Sequence, residues 1–566
     1  MSSIPEIANK VPMMFRAQVD GRCQLQRIPR DKSIEPDIVR WASEWVERSE
    51  ATTPKFGEGV ECREYKLTWR FVTNGGQDDG VIRPVIGARG IPFYPGSSMK
   101  GAFRQACDRA QQRGEISAEK VGEYCGDERN LTPGILRFHG GYPTSADWTK
   151  QLVDIVHPQQ DWQVKTHNTQ SKTGGAFVQI SLYQPELRFG ISSTEKLKPE
   201  DWETIWQIWE QALSGGLGCR VCAGYGQPKT HTENVIGRMA LRGQGSVSQL
   251  LDRTPEFRPN LFRAGLRGHA LRIFGGLTSE QQAETLVDLL FGGISRERGA
   301  QVGLLAMAFR ELKPPVITRE TYDVAGELCW LLTRSIDPEE TILLKKLVRH
   351  LMQFAMVLGG FGKSWRRADH RLFKPDYDKH PIGCHWTWYG ARSPVVNNPV
   401  RRLGEVTRLI ETVRTSARDW MAYRGIAAAD PANWREAWHP SRVQVWGRVA
   451  DSATESEAID WLHGKEYWSD YDQRGRSIPL RIKKTSVTGG DINRTLNIGR
   501  LWHRMYPIVL KKPDPANAKQ EVPVSTPRYL ELLTLFPDGT EEFGRFVQYL
   551  TQDQQEFEQL WGDRYE

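Results

Sequence analysis

Apolar residues recur along this chain with two alternating periods. Short runs rich in β-branched and aromatic residues read as strands: EYKLTWRFV (64–72), GILRF (134–138), VIGRMALRG (235–243), GLLAMAF (303–309) and NIGRLWHRMYPIVL (497–510). Between them the spacing lengthens to that of a helix. Met99, Ala102, Phe103 and Ala106 share one helical face behind the turn IPFYPGSS. Pro92 and Pro95 hold that turn extended, and Ser97 or Ser98 is expected to cap the helix. DWETIWQIWEQAL (201–213), LRGHALRIF (266–274) and ILLKKLVRHLMQFAMVL (342–358) carry the same period.

Four markers then occur twice in one order. In the first pass they are Lys100-Gly101 on a helix with Arg104, Cys125-Gly126, the strand GILRF, and the glycine loop GGLGCRVCAGYG (215–226). In the second they are Arg267-Gly268 with Arg272, Phe291-Gly292, the strand GLLAMAF, and GGFGKSWRR (359–367). The order predicts two homologous modules, over roughly residues 10–235 and 236–566. Each reads as strand, helix, two strands, helix, glycine loop and strand, an α+β arrangement of the ferredoxin-like type. Residues 393–480 read as a mainly helical insertion in the second module. Within it Val406, Leu409, Ile410, Val413, Ala417, Trp420 and Met421 lie on one face, and the module is expected to resume near 497–510. The segment 144–177 has no clear period and reads as an ordered loop or a binding arm.

Composition narrows the partners. At 566 residues the chain exceeds one compact core. No apolar run suits a leader or a membrane span, so a cytoplasmic chain without membrane contact is expected. That setting argues against a disulfide framework for the eight cysteines. Cys219 and Cys222 form a CxxC without a second pair at zinc spacing. A net charge of +7 suits a polyanion, as do 20 tryptophans beside basic segments such as GKSWRRADHRLFKP (362–375). A helix start with free N–H groups, next to Lys100 and Arg104, is a natural anion site.

The residues PGSSMKGAFR (95–104), the following CG and GILRF, and GGLGCRVCAGYG resemble the RAMP superfamily, the backbone proteins of CRISPR effector complexes. The first module looks most like the terminal backbone subunit of type III-B complexes, which LVDIVHPQQDW (152–162) also resembles. The second is a divergent module anchored by LRGHALR and GGFGKSW, and the fused pair resembles type III-D or variant type III systems. The resemblance implies two ferredoxin-like (RRM-like) modules gripping guide RNA and the guide–target duplex through phosphates. Its partners would be guide RNA, target RNA, other backbone subunits and the large signalling subunit. On the match, Ser97, Ser98, Lys100 and Arg104 contact guide RNA in the first module, with Gly215, Gly216, Gly218 and Arg220 from the late loop. Arg263, Arg267, His269, Lys363, Trp365, Arg366 and Arg367 are the counterparts in the second. The lesser alternative for Arg104 and Arg272 is that of helix-surface residues paired with acids.

Some subunits of this family cut target RNA with an aspartate in the loop after the first strand. Here that loop, TNGGQDDGVIRPVIGARG (73–90), holds Asp78 and Asp79, with Asp79 the metal-binding candidate; the second module offers Asp252. A carboxylate there would hold Mg²⁺ or Mn²⁺ beside a phosphate. An acidic pair among glycines is also the composition of a solvated turn. The alternative is a stand-alone endoribonuclease processing precursor guide RNA, for which His139 or His167 would be the base.

Overall fold

The computed structural model describes residues 36–50, 52–73, 75–78, 81–127, 131–156, 177–229, 234–295, 299–362, 372–373, 376, 383–390, 393–471, 473–489, 499–515, 517–552 and 556–564. The fold is α+β: three antiparallel sheets organise it, and a four-stranded mixed sheet and several two-stranded ribbons accompany them among the described residues.

In the first half, β1 (Glu61–Lys66), β2 (Leu136–Pro143) and β3 (Glu186–Ser193) pair in the order β1-β3-β2. Helix α1 (Gly96–Gln112) and helix α2 (Ala118–Cys125) join β1 to β2, and α3 (Pro199–Ser214) follows β3. Helix α1 buries Met99, Phe103, Ala106, Cys107 and Ala110, the stripe that the apolar spacing marks. Against it α3 buries Ile205, Trp206, Ile208, Trp209, Ala212 and Leu213. Phe103 and Trp209 are fully enclosed, and burial of each such side chain contributes about 1.5–3 kcal/mol.

The serine cap expected at the start of α1 is not made. Pro95 occupies the cap position without a side-chain bond, and the helix begins at Gly96. The reason is close packing: a Cβ on Gly96 would lie 2.1 Å from the Phe138 carbonyl oxygen. The backbones of Tyr94 and Gly141 exchange both hydrogen bonds, at 2.8 and 2.9 Å. The turn is thus clamped onto β2 by main chain, and both serines stay exposed.

The second half contains β4 (Val235–Ser246), α4 (Leu261–Gly275), α5 (Glu280–Phe291), β5 (Leu305–Glu311), β6 (Thr321–Leu332), α6 (Pro338–Phe354) and β7 (Cys384–Trp388). Its strands pair in the order β5-β6-β4-β7, all antiparallel. This sheet closes with β7. The strand expected to resume it at 497–510 does form, as β9 (Leu501–Asp514), but belongs to another sheet.

That third sheet has the order β9-β10-β8-β11, with β8 (Gln444–Ala450), β10 (Asn517–Leu535) and β11 (Glu558–Trp561). Residues 393–480 are therefore not an insertion that leads back to the second sheet, because β8 lies within them and pairs with β10. The alternating pleat splits β10 between two cores. Leu530 and Leu532 join the core of the second half, while Leu533 and Leu535 pack with Phe543 and Phe546. Helix α7 (Gly404–Tyr423) buries all seven residues of its expected apolar face.

A buried polar network ties the first half to the second. Arg70, fully buried, binds Glu256 through Nε at 2.9 Å and Nη2 at 2.5 Å. Its Nη1 donates to Ser181 Oγ at 2.7 Å, and Trp69 Nε1 donates to Glu256 Oε1 at 2.7 Å. Asp154 pairs with Arg258 and accepts from Tyr225 Oη at 2.7 Å. Among the described residues no helix is long and apolar enough to cross a membrane.

Candidate functional site

The late glycine loop of the first half takes a shape that only its sequence permits. Gly216 and Gly218 have φ of 80° and 75°, where side chains other than glycine are strained. A Cβ on Gly218 would also lie 2.2 Å from the Val72 carbonyl oxygen. Cys219 N–H bonds Val72 O at 2.9 Å and Gly226 N–H bonds Arg70 O at 2.7 Å, pinning the loop to the segment carrying Arg70. Gly215 ends α3 in an ordinary helical conformation.

Tyr94 brings this loop to the start of α1. Its hydroxyl donates to Ser98 O at 3.2 Å, while burial and the nearby Cys219 thiol push its pKa up to about 12. Ser97, Ser98 and Lys100 are exposed in the first turn of α1, with Arg104 half-buried one turn on. The first turn of a helix has no intrahelical acceptor for its N–H groups. Loop and helix start thus form one edge that offers main-chain N–H groups and cations.

Arg220 carries that edge to the second half. Its backbone is left-handed, with φ of 61°. Its guanidinium sits 5.8 Å from the Tyr225 ring centroid and has no hydrogen-bond or ion-pair partner among the described residues. Burial holds its pKa below the usual arginine value. Burial, joined by the charges of Arg267 and Arg220 and opposed by Cys222 and Asp288, lowers that of Arg263 to about 10. Three arginines from both halves therefore converge, with Asp288 the acid that pairs with Arg267, at 2.9 Å.

The second-half candidates divide. Arg263 is buried and donates to Phe291 O. His269 is buried, with Nε2 2.8 Å from Gly360 O and Gly359 packed against its ring. Both anchor the fold, and Arg267 is the least enclosed of the three. Arg272 pairs with Glu436 at 2.6 Å, but both side chains are largely enclosed, so the pair does not lie on an open helix surface. Lys363, Trp365, Arg366 and Arg367 lie outside the described residues.

Of the acidic candidates, Asp79 lies outside the described residues; of Asp78 only the backbone is described, on a short strand, Gly76–Asp78. Asp252 is exposed and accepts from Thr254 N–H at 2.9 Å, closing its own turn. Among the described residues no group of three or more His, Cys, Asp or Glu is placed to hold a metal. His139 is exposed and lies 2.8 Å from Ser192 Oγ; His167 lies outside the described residues. Ser456, His503 and Glu531 meet in the third sheet, but all are buried, so no substrate reaches them.

No family model and no curated protein matches the chain. Among solved structures it is similar to Cmr1 from Pyrococcus furiosus, at 11% identity over 57% of this chain and 98% of that one, with a TM-score of 0.30. Similarity to Cmr6 from Pyrococcus furiosus covers 31% of this chain and 98% of that one, at 13% identity and a TM-score of 0.21. A chain of the type III-B Cmr-beta complex bound to cognate target RNA aligns at 18% identity and a TM-score of 0.23, over 30% of this chain. The alignment spans 57% of that Cmr-beta chain.

Proposed function

We propose that this chain is a backbone subunit of a type III CRISPR RNA-guided complex, made of two RAMP modules and a C-terminal unit. It would grip guide RNA in the cytoplasm beside other backbone subunits and the large signalling subunit. The observation that carries this reading is that Arg220 and Arg267 meet around the buried Arg263, beside a left-handed glycine loop and the exposed start of α1. Such an edge suits a chain of phosphates, because main-chain N–H groups and arginines position a strand without reading its bases.

The test is binding of single-stranded RNA across a salt series. Lys100→Ala and Arg220→Gly, the latter compatible with a left-handed backbone, are each expected to weaken binding severalfold. Each should also lower the slope of log affinity against log salt by about 0.7. Unchanged slopes for both variants would remove the reading.

Cleavage of target RNA is a separate part of the proposal, with Asp79 and Asp252 as the carboxylates and Mg²⁺ or Mn²⁺ as the ion. In the guide-loaded complex with Mg²⁺, Asp79→Ala and Asp252→Asn are each expected to reduce one defined product by about a hundredfold or more. Asparagine at 252 keeps the acceptor for Thr254 N–H, so a change there reports the lost charge and not a lost turn. Persistence of every product would make the chain a scaffold whose partners cut.

A further inference from the structure

A cavity of about 180 Å³ lies between β7, the turn after α6 and β9. No residue of the candidate RNA-phosphate site in the first half lines it. Its walls include Phe361, Trp386, Trp388 and Tyr506, with Arg504 and Asn398 among the polar groups. Trp388 and Arg504 are half-buried, and Val509 and the exposed Ser525 also line it, so it opens to solvent on the β9–β10 side.

The polar atoms are arranged and not incidental. Trp388 Nε1 donates to Tyr506 Oη at 3.2 Å, and Tyr506 Oη donates to Asn398 Oδ1 at 3.0 Å. Asn398 Oδ1 also accepts from Val400 N–H at 3.0 Å, which fixes the amide. By contrast, Trp386 Nε1 is a buried donor with no acceptor among the described residues. A buried donor left unpaired costs about 1–3 kcal/mol, and a ligand with a ring nitrogen or carbonyl oxygen would relieve it.

We propose that this cavity takes one unstacked nucleobase of a bound RNA strand. The volume lies below the ~300 Å³ at which drug-sized pockets begin, so one ring system enters and a whole nucleotide does not. Aromatic walls suit the faces of any base, and an arginine at the side suits its carbonyl edge or the adjoining phosphate. Gly360 and Phe361, from the glycine loop of the second half, line the cavity. The strand so held would be the RNA of the proposed function, on which this inference rests.

The experiment is photo-crosslinking of a single-stranded RNA carrying 4-thiouridine to the full chain, with the crosslinked peptides mapped by mass spectrometry. Crosslinks are expected at Trp386, Trp388 or Tyr506. Ser525→Trp, at an exposed hairpin position that tolerates bulk, should obstruct the opening, abolish those crosslinks and weaken RNA binding about tenfold. The salt slope should stay unchanged, because a base contact releases no counterions. Crosslinks confined to other residues, or unaltered by Ser525→Trp, would overturn the proposal. If no RNA binds, saturation-transfer NMR with free uridine and adenosine separates the two readings. Nucleoside binding that Ser525→Trp abolishes keeps the cavity and removes the RNA-strand reading, whereas no nucleoside binding removes both.

Discussion

Glu256→Ala is expected to destabilise the junction between the two halves by about 3–5 kcal/mol, the typical cost of leaving one buried charge without its partner. Arg70 is fully buried and Glu256 is 3% exposed, so water cannot replace the lost carboxylate. Three donors aim at that carboxylate, Arg70 Nε at 2.9 Å, Arg70 Nη2 at 2.5 Å and Trp69 Nε1 at 2.7 Å. Urea denaturation of the full chain provides the measurement. The substitution should lower the midpoint and split the transition, the first half separating from the second. A double replacement, Arg70→Leu with Glu256→Leu, is expected to recover much of the loss, since apolar pairs often match a buried ion pair in stability. The exposed pair Arg242–Asp323 supplies the contrast, with 45% and 23% side-chain exposure and an expected effect of about 0–1 kcal/mol. Equal effects at the two pairs would show that the buried network is not what joins the halves.

This junction was not legible in the sequence. Arg70 and Glu256 are 186 residues apart, and neither sits in a motif. Periodicity located what periodicity governs: the buried stripe of α1, the face of α7 and the strands β4, β5 and β9. It misplaced the close of the second sheet. The strand β7 is the five-residue stretch CHWTW, its apolar signal broken by His385 and Thr387, whereas β9 offers a long apolar run that drew the assignment. The serine cap failed for a different reason. Ser97 and Ser98 have the right chemistry, but the approach of Gly96 to the Phe138 carbonyl sets where the helix starts. Among site residues, the glycine loop and Lys100 could be read from composition, because left-handed backbone and exposed charge leave local marks. The burial of Arg263 and His269 could not, since the helix α4 has apolar residues on most sides and shows no clear outward face. The aromatic cavity draws Trp386, Tyr506 and Arg504 from two sheets, a juxtaposition that no local pattern encodes.

Lowering the pH is expected to weaken the third sheet through Glu531. Burial alone would raise the pKa of this carboxyl, yet hydrogen bonds and charge from His503, a bond from Ser456 and the charge of Arg448 outweigh it. Together they bring the value from the ordinary 4.5 down to about 2. Arg448 Nε lies 2.6 Å from Glu531 Oε2 and His503 Nε2 lies 3.1 Å from Oε1, with both carboxyl and imidazole fully enclosed. A group held below its unfolded value stabilises the fold above that value and loses the contribution as pH falls through the folded one. The window therefore runs from about pH 5 down to pH 2, and the contribution is on the order of 3 kcal/mol. Glu531→Gln should remove that acid sensitivity while lowering stability at neutral pH, because Arg448 and His503 would then face an amide. Urea midpoints followed by circular dichroism at pH 7, 5, 4 and 3 test both effects. Parallel pH profiles for wild type and Glu531→Gln would show that another carboxylate governs the acid limb. The other carboxylate paired with Arg448, Glu556, is 62% exposed at the side chain, so solvent screening makes it the weaker candidate for that role.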